Sequence, residues 1–126
     1  MKKTPLFVAI ASSLLLLLGI GTIAFAGYAD AYFQIGFSEG WGRSVCYNHS
    51  AASLTSIDGY TAKAKIVAYY HDGNEFLPCA SADNTGADVC TALLPSIDDY
   101  TVSYAIGYFG TTQSGYLTSA TAYSGY

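Results

Sequence analysis

Apolar and polar positions alternate with period two along most of this chain. From Tyr28 to Ser38, Ala29, Ala31, Phe33, Ile35 and Phe37 alternate with Tyr28, Asp30, Tyr32, Gln34 and Gly36. That pattern predicts a half-buried strand. Glu39-Gly40-Trp41-Gly42 then predicts a turn, and Arg43 to Asn48 a short second strand. The small, polar stretch His49 to Thr55 reads as a loop or a single helical turn.

Tyr60 to His71 repeats the alternation, with Ala62, Ala64, Ile66, Ala68 and Tyr70 on one face and Lys63 and Lys65 wetting the other. Asp72-Gly73 follows, a two-residue hairpin signal because a type I′ turn needs two positive φ angles. Glu75 to Leu77 is the return strand, which Pro78 ends or confines to a sheet edge. Ala80 to Ala87 reads as a polar loop, Val89 to Leu94 as a short strand, and Tyr100 to Phe109 and Tyr116 to Tyr126 as the last two strands. No segment after Ala26 keeps a helical period. The sum is an all-β domain of about seven short strands, a small antiparallel sandwich or small barrel.

One unit recurs. Ser56-Ile57-Asp58-Gly59-Tyr60-Thr61 matches Ser96-Ile97-Asp98-Asp99-Tyr100-Thr101, and Ile66 matches Ile106 at the same offset. The repeat, about 56–70 and 96–110, places Ala62, Ala64, Ile66 and Ala68 in register with Val102, Tyr104, Ile106 and Tyr108. Small residues opposite large ones would let two facing layers interdigitate.

The start of the chain has a different pattern. Met1-Lys2-Lys3 precedes an apolar stretch that ends in Ala24-Phe25-Ala26. This is the layout of a secretory signal peptide cut after Ala26. The alternative is an uncleaved anchor, because Leu6 to Ala26 is 21 residues without a charge. The domain is then 27–126, secreted or held at the cell surface, and the leader looks bacterial.

Removing 1–26 alters the charge. Residues 27–126 keep Arg43, Lys63 and Lys65 against nine acids, so three minus nine gives −6. Such a chain has no electrostatic footprint for nucleic acid or anionic membrane. Export permits disulfides, and Cys79 and Cys90 flank the predicted polar loop, so the expected bridge is Cys79–Cys90 with Cys46 unpaired.

Candidate chemistry is sparse. No C-x-x-C, nucleophile elbow or EF-hand spacing occurs, so no metal site, cofactor or catalytic residue is assigned. His49 has only its chain neighbours Cys46 and Ser50 as partners for catalysis, and Asp58 and Asp98 read as Asx turns before strands. The enriched residue is Tyr, with 12 copies. Tyr28, Tyr32 and Tyr69 on outward faces, with Trp41, are the candidate binding aromatics. The expected function is non-enzymatic: protein–protein contact or self-association. A small carbohydrate-binding module is the alternative, and a secreted bacteriocin or toxin-like protein the further one.

Overall fold

The structure, a computed structural model, describes residues 27–125. The leader and its cleavage point after Ala26 lie outside the described residues. Six strands follow in order: β1 Gly27–Ile35, β2 Ser38–Tyr47, β3 Ser50–His71, β4 Phe76–Leu94, β5 Tyr104–Thr111 and β6 Gly115–Tyr123. All pairings are antiparallel, and the order is β1-β2-β3-β5-β6 with β4 on the other edge of β3. The fold class matches the expectation from the alternation.

The 22-residue β3 organises the molecule. Its first half pairs with β2 and its second half with β5, while β4 follows it nearly throughout. Between Ser56 and Thr61 the register with β4 shifts. Gly59 takes φ +79° there, a region that glycine enters without a Cβ clash. Across from it Asp88 takes φ 67°, and its Oδ1 accepts the Gly59 N–H at 2.8 Å. The two strands therefore bend together. Beyond the bend β3 folds back over itself: the Ser53 hydroxyl donates to the Lys65 carbonyl and the Thr55 hydroxyl to the Lys63 carbonyl, each at 2.9 Å. β1 and β6 then meet, and the antiparallel sheet is nearly closed into a barrel-like or sandwich-like form.

The interior is narrow, so its lining is small. Ala51, Ala62, Ala64, Ala68, Ala105 and Ala122 surround Ile57, Ile66 and Val102. Gly42 lies against the Phe109 ring, where an added Cβ would stand 2.1 Å from a ring carbon. Residues 95–103 cross one end, with the Ile97 N–H donating to the His49 carbonyl (2.8 Å) and the Val102 N–H to the Asn48 carbonyl (2.7 Å). These bonds drop Ile97 and Val102 into the barrel end.

Several local expectations are corrected. Six strands replace seven because His49–Thr55 and Ala80–Ala87 are mostly strand, inside β3 and β4. The Ser, Ala and Thr residues of the first look like loop but fit where two layers approach closely, whereas the second is a largely exposed edge strand of polar composition. The first turn is at Gly36-Phe37, and Phe37 stands fully exposed at the tip instead of on the inward face. Gly40 and Gly42 sit in β2 to admit the Phe33 and Phe109 rings, so they do not turn the chain. The loop after His71 is longer than two residues, because Asp72 Oδ1 accepts the Asn74 and Glu75 N–H groups at 2.8 and 2.9 Å. In the second repeat unit Val102 is inward as expected, but from Tyr104 onward the faces are opposite to the expectation. Ala105 and Phe109 are buried, while Tyr104, Ile106 and Tyr108 are only half-buried on the outside, since a narrow barrel has no room for a row of tyrosines.

Candidate functional site: the outer face of the first sheet

The β1–β2 register opposes Tyr28 to Val45, Asp30 to Arg43 and Tyr32 to Trp41. Side chains alternate across a strand, so all six share the face turned away from the barrel interior. Tyr28 and Tyr32 are each 59% exposed, whereas Trp41 is buried. Between them lies Arg43. Its Nη2 donates to Asp30 Oδ2 at 2.8 Å and its Nε to Oδ1, a two-pronged pair that orients the guanidinium plane. The carboxylate raises the Arg43 pKa further, chiefly through this hydrogen bond. The guanidinium carbon stands 4.3 Å from the Tyr28 ring centroid and 5.2 Å from that of Trp41, within cation–π range. Next to this group an open cleft of about 400 Å³ is lined by Tyr32, Phe33, Gln34, Glu39 and Gly40.

Three of the four candidate aromatics, Tyr28, Tyr32 and Trp41, are thus brought together, and Tyr69 is not. Tyr69 lies on the second half of β3, on the outside of the sheet where it pairs with β5. There it stacks on Tyr104 at 4.8 Å with 15° between planes. Tyr104 also meets Phe76 (5.2 Å) and Tyr123 (5.9 Å), giving a cross-strand aromatic row whose ends, Phe76 and Tyr123, are exposed. Sequence reasoning missed Arg43. Its signal was available: with the hairpin tip at Gly36-Phe37, Arg43 has to oppose Asp30 beside Trp41.

The cysteine expectation is corrected. Cys46, Cys79 and Cys90 are all free. Cys79 and Cys90 flank the bend at Asp88 on one extended strand, and the loop meant to bring them together does not exist. The Cys79 thiol lies 3.5 Å from the Ala68 carbonyl, whereas Cys90 opposes Thr55 on the other side of the bend. Burial pushes the Cys46 thiol up to about 12 and the Cys90 thiol up to about 11. Both are poor nucleophiles at neutral pH, because the thiolate is the reactive form.

The other polar candidates have local duties. His49 Nδ1 lies 3.1 Å from the carbonyls of Ile97 and Tyr100. Carbonyls only accept, so Nδ1 carries the proton and fastens residues 95–103. Asp98 accepts the Ser96 hydroxyl at 2.7 Å. Among the described residues no three His, Cys, Asp or Glu side chains cluster to hold a metal ion. Comparison with family models, curated proteins and solved structures gives no match, so the site is read from its own chemistry.

Proposed function

We propose that this chain is an exported, non-catalytic β-domain that works by protein–protein contact, including self-association, through the outer face of β1 and β2. The observation that carries the reading is the Tyr28, Tyr32 and Arg43 group, exposed at its rim and oriented by Asp30. Tyr, Trp and Arg dominate the energetics of protein contacts, because they present large area at low entropic cost. β4 adds a second means of contact. Among the described strands it pairs only with β3, leaving one edge open to strand addition.

The test is sedimentation of residues 27–126 over a wide concentration range, beside the Tyr28→Ser/Tyr32→Ser double variant. The mature chain should gain mass with concentration, and the variant should need at least about tenfold more protein, equivalent to 1.4 kcal/mol. Identical behaviour of the two would remove this face from the contact.

A carbohydrate-binding reading has one observation of its own, the Tyr69, Tyr104, Tyr123 and Phe76 row. The Tyr69 and Tyr104 rings cover each other, which leaves Phe76 and Tyr123 to meet a sugar. Retarded migration in polysaccharide-containing gels that Tyr123→Ala abolishes would favour it.

A further inference from the structure

Tyr100 lies in residues 95–103, which cross one end of the barrel between β4 and β5. Two bonds fix its backbone there. His49 Nδ1 donates to the Tyr100 carbonyl at 3.1 Å, and the Val102 N–H donates to the Asn48 carbonyl at 2.7 Å. The Tyr100 side chain is 38% exposed and rests on Tyr70, the last tyrosine of β3, with ring centroids 4.2 Å apart and 38° between planes. The Tyr70 phenol is held above its ordinary pKa, first by desolvation and next by the Tyr100 phenol. The hydroxyl ends are therefore neighbours as well as the ring centres, and so are the ring carbons beside them. The tyrosine pairs on the strands are arranged differently. Tyr69 and Tyr104 oppose each other across β3 and β5 and stack nearly face to face, 4.8 Å apart with 15° between planes. Phe76 and Tyr123 flank that stack, and both backbones sit in the ladder, so the ring edges do not meet unless one ring leaves it. Tyr108 and Tyr116 are 6.0 Å apart. Of these residues Tyr100 alone lies outside the strands, so its ring is free to turn edge-on to its neighbour while its centre stays in place.

We propose that Tyr70 and Tyr100 form an oxidative cross-linking site, in which hydrogen peroxide acting through a haem peroxidase joins them as dityrosine. Each phenol gives up one electron and its hydroxyl proton, leaving a radical shared between the oxygen and the ring carbons next to it. The two radicals pair into one carbon–carbon bond between a Tyr70 Cε and a Tyr100 Cε. The hydrogen on each joined carbon then moves to the phenolic oxygen, which restores both rings. The peroxide takes the two electrons and two protons and leaves as two waters. Such a bond ties residues 95–103 to the end of β3. Small exported domains commonly gain a covalent staple, and the three free cysteines supply none here. Closing the loop between residues 70 and 100 removes conformations from the unfolded chain, as a disulfide does. The inference goes beyond the contact reading and does not depend on it.

The full chain, dilute enough to stay monomeric, is treated with peroxidase and hydrogen peroxide. Residues 1–26 hold no tyrosine, so the leader adds no site. Cys79 lines the same cleft as Tyr100, and a thiol there returns hydrogen to a tyrosyl radical, so Cys79→Ala is treated in parallel. Cleavage after acidic residues places Tyr70 and Tyr100 in different fragments, 59–72 and 100–126. The expected product is a monomer with dityrosine fluorescence, in which these fragments are joined at Tyr70 and Tyr100 and are two hydrogens lighter than their sum. Tyr100→Phe keeps the ring and removes the phenol, so it should lose the join and most of the fluorescence. Tyr104→Phe should keep both. A join chiefly at Tyr69 and Tyr104, links only between chains, undiminished fluorescence in Tyr100→Phe, or no dityrosine in either the unaltered chain or Cys79→Ala would overturn the proposal. The joined monomer should also unfold at a higher temperature than the untreated chain, and an equal temperature would overturn its role as a staple. None of these readouts depends on self-association, so the two ideas fail separately.

Discussion

The two halves of β3 share one backbone and differ in almost everything else. From Ser50 to Ile57 every residue is buried and none is charged. From Thr61 to Tyr69 buried Ala62, Ala64, Ile66 and Ala68 alternate with partly exposed Lys63, Lys65, Val67 and Tyr69. Both halves have two neighbouring strands, so hydrogen bonding does not separate them. What separates them is the number of packed faces. One face is shared, since both line the barrel. The other is dry in the first half and wet in the second, and the bend at Gly59 is where the change occurs.

The largest effect that follows is on stability. Leu54→Ala removes a side chain with no exposure from the doubly packed half and should cost about 2–5 kcal/mol. Val67→Ala, on the half-wet face, should cost about 1 kcal/mol or less. Urea unfolding of both variants checks this, and equal losses would break the distinction between the halves. Gly42→Ala should come next, at roughly 1–3 kcal/mol, because its methyl group enters the Phe109 ring. The same measurement on Gly36→Ala, at an open turn, separates crowding from lost backbone freedom. Gly36 has φ +58° and nothing within 4 Å of an added Cβ, so its loss is purely conformational.

How legible this was depended on the packed faces too. Where one face is wet, in β1 and in the second half of β3, the period of two is plain in the sequence, and the strands and their faces are as expected. Where both faces are covered, the alternation disappears. Ser50-Ala51-Ala52-Ser53 then resembles a loop, although close layers demand such small residues. Residues 80–87 of β4 were obscured for a different reason. An edge strand exposed on most of its length carries the polar composition of a loop. The false bridge between Cys79 and Cys90 came directly from that misreading. At the site, the aromatic residues were visible by type. Their grouping around Arg43 depends on the β1–β2 register, and that was hidden by placing the turn at Gly40 instead of Gly36.

A smaller effect, absent at neutral pH, tests burial of the two thiols beside the doubly packed half. Cys46 opposes Ala51 and Cys90 opposes Thr55. Both folded-state pKa values are raised above the ordinary 9.0, to about 12 and about 11. The sign follows from the uncharged form being the buried one. Below pH 9 the thiols are protonated in both states, and their contribution is fully present. As pH rises past 9 the unfolded chain loses these protons first, and stability falls until the folded thiols ionise as well. Denaturation midpoints should therefore drop between pH 9 and 11, and Cys46→Ala/Cys90→Ala should flatten the decline. A decline of the same slope in the variant would mean that other groups, the raised tyrosines included, account for it.

The smallest expected effect concerns the wet face itself. Lys63 Nζ lies 4.7 Å from the Tyr116 ring centroid. Lys63 and Tyr116 both oppose Gly110, so the missing side chain between them is what lets the ammonium reach across to the ring on β6. A half-exposed cation–π contact of this kind contributes about 0.5–1 kcal/mol. Lys63→Ala alone mixes that with lost packing of the aliphatic stem, so a cycle with Tyr116→Leu is the cleaner measurement. Its coupling should be positive and should shrink only partly in high salt, since the ring carries no net charge to screen. A coupling near zero would make Lys63 a solvating residue only. The outer face of the second half would then be wet through its charge alone, with no contact linking β3 to β6 across it.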